Sequence, residues 1–243
     1  MDDRLIQTLR ESASTVFLTG AGVSAESGIP TFRDAMTGLW SRYRPEELAT
    51  PDGFERDPEL VWRWYEWRRG IVSETDPNPG HHALRRMQHG LTTSLLITQN
   101  VDGLHQRAGS EQLIELHGNL FRNLCSRDMH PVMTEEWVPG NPPRCPRCDS
   151  LVRPGVVWFG EMLPPDAIES ARQAAMSCDV FFSIGTSAQV YPAAQLAEIA
   201  LGNGATVVEV NPEPTTLTRY ADFVLSSPSG AALPEIARRL GPN

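Results

Sequence analysis

The chain has 243 residues, 40% of them apolar, and a formal net charge of −9. That length suits one α/β domain carrying insertions, with enough apolar residues for a sizeable core. The acidic balance repels phosphate backbones, so no nucleic-acid partner is expected, while lysine-rich peptides are favoured.

The opening stretch, MDDRLIQTLRES, predicts an amphipathic helix with Leu5, Ile6 and Leu9 inward. It lacks the apolar centre of a signal peptide, and no run approaches the roughly 18 residues of a membrane span. A cytoplasmic protein without membrane contact is therefore the expectation. Thiols stay reduced there, so the four cysteines point to metal or packing rather than disulfides.

TVFLT (15–19) predicts the first strand. The stretch Gly20-Ala21-Gly22-Val23-Ser24-Ala25 then fits G-x-G-x-x-G/A, in which Gly20 permits a tight turn and Gly22 lets the backbone approach a pyrophosphate. A dehydrogenase would continue through a helix into a second strand. This chain enters the Gly/Pro-broken SGIPTFRDAMTGLW, so the nucleotide loop is present without the hydride-transfer layout. Phe32, Arg33 and Asp34 at the tip of that stretch would cover a bound cofactor; packing of Phe32 and pairing of Arg33 with Asp34 is the structural alternative.

Residues 34–80 hold no convincing strand but include PELVWRWYEWRRGIVSE, a helix with an aromatic face. Tyr65 and Arg68 are three apart and share one side of it. A guanidinium beside a phenol makes a carboxylate clamp, which succinyl-, malonyl- or glutaryl-lysine would fill and acetyl-lysine would not. The plain alternative pairs Arg68 with Glu66 or Asp57 and buries Tyr65.

A helix over 82–89 leads to the strand SLLIT (94–98), whose carboxyl end carries Gln99, Asn100 and Asp102. Asn and Asp there suit an amide ligand, or else cap the helix through His105. LIEL (113–116) places His117 at a strand end, where a neutral imidazole serves as a general base. His81 and His82 read as helix caps or solvated residues, and His89, His105 and His130 as structural.

Residues 122–150 hold three cysteines in the pattern C-x2-D-x16-C-x2-C. Cys125, Asp128, Cys145 and Cys148 would close a zinc tetrahedron, with His130 the alternative to Asp128 and an empty loop the third possibility. Cys178 reads as a buried thiol. Further strands are expected at 180–185, 206–210 and 222–225, with helices at 165–177, 192–201 and 231–240. Alternating buried strands and helices predict a Rossmann-like, doubly wound α/β parallel sheet. The expected nucleotide domain comprises 1–33, 81–121 and 151–243. A smaller lobe joins the helical insertion 34–80 to the zinc-ribbon-like insertion 122–150.

Several ordered stretches together resemble the sirtuins, the NAD-dependent protein deacylases. They are GAGVSAESGIPTFRD (20–34), TQNVDGLHQRAG (98–109), ELHGN (115–119), the C-x2-C at Cys145, VRPGVVWFGE (152–161), GTSAQVYPAA (185–194) and VNPEPT (210–215). The resemblance runs from about Leu5 to Leu240. It implies an NAD site formed by Gly20, Ala21, Gly22, Ser24, Ala25, Thr31, Phe32, Arg33, Trp40, Gln99, Asn100, Asp102, Gly185, Thr186, Ser187, Asn211 and Ala231. It implies His117 as the base that activates a ribose hydroxyl after the acyl oxygen attacks the ribose carbon bearing nicotinamide. Products would be nicotinamide, free lysine and O-acyl-ADP-ribose.

By the same resemblance, VVWFGE pairs as a strand with substrate peptide. Trp158 and Phe159 then wall the lysine tunnel opposite Val190 and Tyr191, with Val156 and Gly160 alongside; ordinary core packing of Trp158 and Phe159 is the alternative. Tyr65-x-x-Arg68 and LATPDGF (48–54) resemble the sirtuins that remove acidic acyl groups. Acylated lysine proteins or peptides are the implied partners, the implied zinc is structural, and a monomer is the expectation. Competing readings are an NAD oxidoreductase, a deacetylase, a protein ADP-ribosyltransferase and a zinc-ribbon binding module.

Overall fold

The computed structural model describes residues 2–29 and 43–241. Helix α1 (Asp3–Glu11) precedes β1 (Thr15–Thr19) and the short α2 (Gly22–Ala25). Next come α3 (Pro45–Leu48), α4 (Pro51–Arg56), α5 (Pro58–Ser73) and α6 (Pro79–Gly90). Strand β2 (Ser94–Thr98), α7 (Leu104–Arg107), β3 (Leu113–Glu115), β4 (Gly118–Cys125) and β5 (Val152–Val156) follow. The chain closes with α8 (Pro165–Ser177), β6 (Val180–Ile184), α9 (Gln195–Gly202), β7 (Thr206–Val210), β8 (Phe223–Leu225) and α10 (Ser229–Leu240).

Six strands form one parallel sheet in the order β3-β2-β1-β6-β7-β8. The expected doubly wound sheet is thus present. Both faces are covered, which is why β1 and β6 read as unbroken apolar runs. Phe17 and Phe182 point to the layer of α1, α6 and α10, where Leu9, Leu84 and Ile236 lie. Val16, Leu18 and Phe181 point to α8 and α9, against Ala171, Ala175 and Leu196. Small residues there let the helices sit close to the sheet.

The smaller layer joins α3, α4 and α5 to the antiparallel pair β4–β5. Helix α5 starts where Asp57 accepts from the Leu60 amide at 3.0 Å and Pro58 occupies the first turn. Its Val61, Trp64 and Tyr65 pack with Leu48, Phe54, Leu120 and Trp158. Helix α6 starts at Pro79, three residues ahead of the expected bound. Asn78 caps it, and His81 Nδ1 accepts the Asn78 amide in return, at 3.3 Å.

Candidate active site

The strand order reverses between β1 and β6, since the chain moves outward to β2 and β3 and then returns to the other side of β1. Such a switch point opens a crevice at the carboxyl ends of the strands. The Gly20–Ala25 loop and the Gly185–Ser187 loop meet there. Gly22 N donates to Gly185 O at 2.9 Å, and Gly20 N donates to Ile184 O at 3.0 Å. A Cβ on Gly22 would stand 2.8 Å from Gly185 Cα, and one on Gly185 2.6 Å from Val23 N. Gly185 also has φ +58. Only glycine on both sides allows this approach.

The remaining predicted residues stand along the same edge, each fixed to its neighbour. Gln99 N donates to Thr19 O at 2.9 Å, Gly185 N to Val210 O at 2.9 Å, and Asn211 N to Leu225 O at 3.2 Å. Thr186 is buried, its hydroxyl 3.0 Å from that of Ser183, whereas Ser187 is exposed. Ala231 lies in the first turn of α10, after Gly230, whose amide donates to Glu26 at 2.6 Å. Thr31, Phe32, Arg33 and Trp40, with Asp34, lie outside the described residues.

The crevice floor is a buried polar network. Asp102 accepts from Ser24 Oγ at 2.7 Å and from Leu104 N at 2.9 Å, so it joins the first residue of α7 to the glycine loop. Asn100 donates to Ser24 Oγ at 3.1 Å. Burial raises the Asp102 pKa against these hydrogen bonds and the Arg68 charge. Below them, Thr19 Oγ1 donates to Thr98 Oγ1 at 2.8 Å, so His105 Nε2, 3.0 Å from Thr19, must be the donor in that contact. His81 and His105 are buried with rings 4.8 Å apart. Burial depresses both pKa values, that of His81 to about 4, so they sit as neutral rings. Of the two sequence readings of His81, helix cap or solvated residue, the capping contact is the one present. The link of His81 and His105 through Ser24 and Thr19 to the site was invisible in the sequence, because it spans 86 positions between Thr19 and His105.

His117 follows β3, half-buried. Its Nδ1 lies 2.9 Å from Gln99 O. A carbonyl only accepts, so Nδ1 carries the proton and Nε2 is the unprotonated, basic nitrogen. Burial lowers the pKa, partly opposed by that hydrogen bond.

On α5, Tyr65 and Arg68 share the face toward this floor. Arg68 lies over the Trp64 ring, 5.0 Å from its centroid, and within electrostatic reach of Tyr65 and Asp102; burial lowers its pKa. The carboxylate of Glu66 is taken by Arg69 at 2.6 Å, and Asp57 caps its own helix. The expected substrate stretch runs from the end of β5. Val156 is buried, and Trp158 is 3% exposed, packed with Phe54 and Tyr65. Phe159, Gly160 and Val190 are exposed. Val157 N donates to His117 O and Phe159 N to Ala49 O, both at 2.9 Å, and Trp158 N donates to Glu161 at 2.8 Å. These three amides are engaged within the chain. Sequence reading missed Arg153, a strand residue whose buried guanidinium holds both Glu161 oxygens, at 2.6 and 2.9 Å.

The cysteine lobe contains two matching turns. Cys125 N donates to His130 O and Met129 N to Cys125 O; Cys145 N donates to Ser150 O and Asp149 N to Cys145 O. Met129 and Asp149 share φ +59. Asp128 therefore stands in register with Cys148. Across the turns, Cys125 Sγ is 3.4 Å from Cys148 Sγ, and Cys145 Sγ is 3.3 Å from His130 Nε2. Opposite edges of a tetrahedral Cys3His zinc site would measure roughly 3.5–3.8 Å, given Zn–S near 2.3 Å and Zn–N near 2.0 Å. The donor set fits zinc with His130 as fourth ligand. Asp128 Oδ1 lies 3.2 Å from His130 Nδ1, and its carboxylate also gathers with the Cys125 and Cys148 sulfurs within 4.8 Å.

Fold and site together define an α/β protein whose glycine loops, buried polar floor and half-buried histidine meet at the sheet reversal. The Sir2 family matches residues 20–192 of the chain. A protein of Methylococcus capsulatus called NAD-dependent protein deacylase is 50% identical over 98% of this chain and 96% of its own length. One of Ralstonia nicotianae with the same name is 54% identical over 92% and 91%. A solved Sir2 homologue–NAD complex is 48% identical, with a TM-score of 0.92, covering 99% of this chain and 94% of that one. The chain belongs to the Sir2 family.

Proposed function

We propose that the chain is an NAD-dependent protein-lysine deacylase preferring acidic acyl groups. The joint placement of Asn100, Asp102 and His117 at the carboxyl edge of a sheet whose reversal is closed by two glycine loops carries the deacylase reading. The related proteins named deacylases support it. NAD supplies the ribose carbon that takes the acyl group and releases nicotinamide. Asn100 and Asp102 would hold the nicotinamide end, Gly20–Ala25 and Gly185–Ser187 the phosphates, and Asn211 and Ala231 the adenosine. The buried floor keeps water from competing at the ribose. His117 Nε2, neutral and aimed by Gln99, takes the proton of the attacking hydroxyl.

For the acyl group, the supporting observation is that Glu66 is committed to Arg69, while Arg68 faces Tyr65 and Asp102. A carboxylate entering there would meet a charged fork and a phenol. The test is turnover of matched acetyl-, succinyl- and malonyl-lysine peptides with NAD, read by mass spectrometry. Succinyl and malonyl peptides should turn over faster. Arg68→Met should lower the succinyl-to-acetyl ratio of kcat/KM roughly thirtyfold, the scale of one bidentate charged contact. An unchanged ratio would sink the acidic-acyl reading, and absence of O-acyl-ADP-ribose would sink the deacylase reading.

A further inference from the structure

We propose that Trp158 is a positioning residue for acyl selectivity: its indole N–H fixes the Tyr65 hydroxyl so that the phenolic proton is held ready for a carboxylate. This rests on the acidic-acyl reading above and deepens it. Trp158 Nε1 lies 2.9 Å from Tyr65 Oη, and both side chains are buried. An indole nitrogen only donates, so Tyr65 Oη must accept, and its own proton is left to be donated elsewhere. Among the described residues, no hydrogen-bond acceptor takes that proton. Burial pushes the Tyr65 pKa up to about 12, which keeps the proton on the oxygen across the physiological range.

Trp158 can direct Tyr65 because it is itself clamped. The Arg153 guanidinium lies 3.5 Å from the Trp158 ring centroid. Arg153 in turn grips Glu161 through both carboxylate oxygens and donates to Val156 O at 3.1 Å. Glu161 also receives the Trp158 backbone amide. The turn from β5 to Glu161 is therefore a rigid bracket, and the indole is its contact with α5. A bound acetyl group would leave the phenolic proton facing a methyl, with the cost of an unmet buried donor. A succinyl carboxylate would accept it. The bracket thus converts a backbone turn on one element into selectivity on another.

The test compares Trp158→Phe, Tyr65→Phe and the double variant on succinyl- and acetyl-lysine peptides, with NAD binding and melting temperature measured alongside. Trp158→Phe should lower the succinyl-to-acetyl ratio of kcat/KM about fivefold, through KM for the succinyl peptide rather than kcat, the scale of one oriented hydrogen bond. The double variant should be no worse than Tyr65→Phe alone, because the indole acts only through the phenol. Should Trp158→Phe fold poorly, Trp158→His, which keeps a ring N–H, should hold the ratio closer to that of the unsubstituted chain than Trp158→Leu does. An unchanged ratio, equal losses on both peptides, or additive losses would overturn the proposal. If Arg68→Met still shifts the ratio, only the positioning role fails; if Arg68→Met also has no effect, the acyl reading itself fails.

Discussion

At the residue scale, His117 is the sharpest case. Its hydrogen bond to Gln99 O leaves one tautomer, with Nε2 basic, and burial makes the charged ring costlier. A lowered pKa means that the base form persists to lower pH. The acid limb of kcat/KM should therefore fall below the ordinary imidazole value of 6.5. His117→Gln should reduce kcat roughly a hundredfold or more while leaving the melting temperature nearly unchanged, and should abolish that limb. A limb that survives the substitution would belong to another group. The sequence made His117 legible as a candidate because a histidine at a strand end beside glycine is a short-range pattern. Its tautomer was not legible, since the partner carbonyl lies eighteen positions away on another strand end. Trp158 shows the opposite case. As a residue in VVWFGE it reads as a tunnel wall, yet its burial and its bond to Tyr65, 93 positions distant, are properties of packing.

At the scale of elements, the two glycine loops and helix α5 do the positioning. A side chain on Gly185 meets two obstacles, a positive φ and a backbone nitrogen 2.6 Å away. Gly185→Ala should cost about 1–3 kcal/mol of stability and weaken NAD binding at least tenfold, measurable by denaturant unfolding and calorimetry. Normal affinity would show that the close approach of the loops is incidental to the cofactor. Helix α5 has two jobs that its sequence overlays. Trp64 and Tyr65 face the lobe core, whereas Trp62 packs against Trp137 and the cysteine turns. Arg69 ties the helix to β4, donating to Leu120 O at 2.6 Å and Asn123 Oδ1 at 2.8 Å. Adjacent arginines on one helix are indistinguishable by charge; the 100° between them turns Arg69 to β4 and Arg68 over the Trp64 ring.

For the whole molecule, the cysteine lobe has the smallest apolar core: Trp62, Cys125, Val132, Cys145 and Val152, with Trp137 and Cys148 beside it. So small a core needs a staple, and the four donors supply a site for one. Protein purified without chelator should carry about one equivalent of zinc, and its removal should lower the melting temperature. His130→Ala should lose most of the metal. Asp128→Asn should keep it but weaken affinity roughly tenfold to a hundredfold, as expected of an outer partner. Cobalt substitution should show the signature of three thiolates and one imidazole. Full retention in His130→Ala with loss in Asp128→Asn would reverse the two roles.

By itself the sequence determined what rests on neighbours along the chain. Unbroken apolar strands between helices dictate a sheet covered on both faces, and the glycine spacing dictates a phosphate-sized turn after β1. Cys145-x2-Cys148 dictates a metal-competent knuckle. These follow from local periodicity, backbone freedom and ligand spacing, which are written in consecutive residues. Only the tertiary structure decided which loops face each other at the sheet reversal and that His130 Nε2 comes within 3.3 Å of Cys145 Sγ. It also decided that the Trp158 indole N–H meets the Tyr65 hydroxyl. Each depends on side chains far apart in the chain competing for one hydrogen bond or one ligand position, and that competition is settled by distance in space.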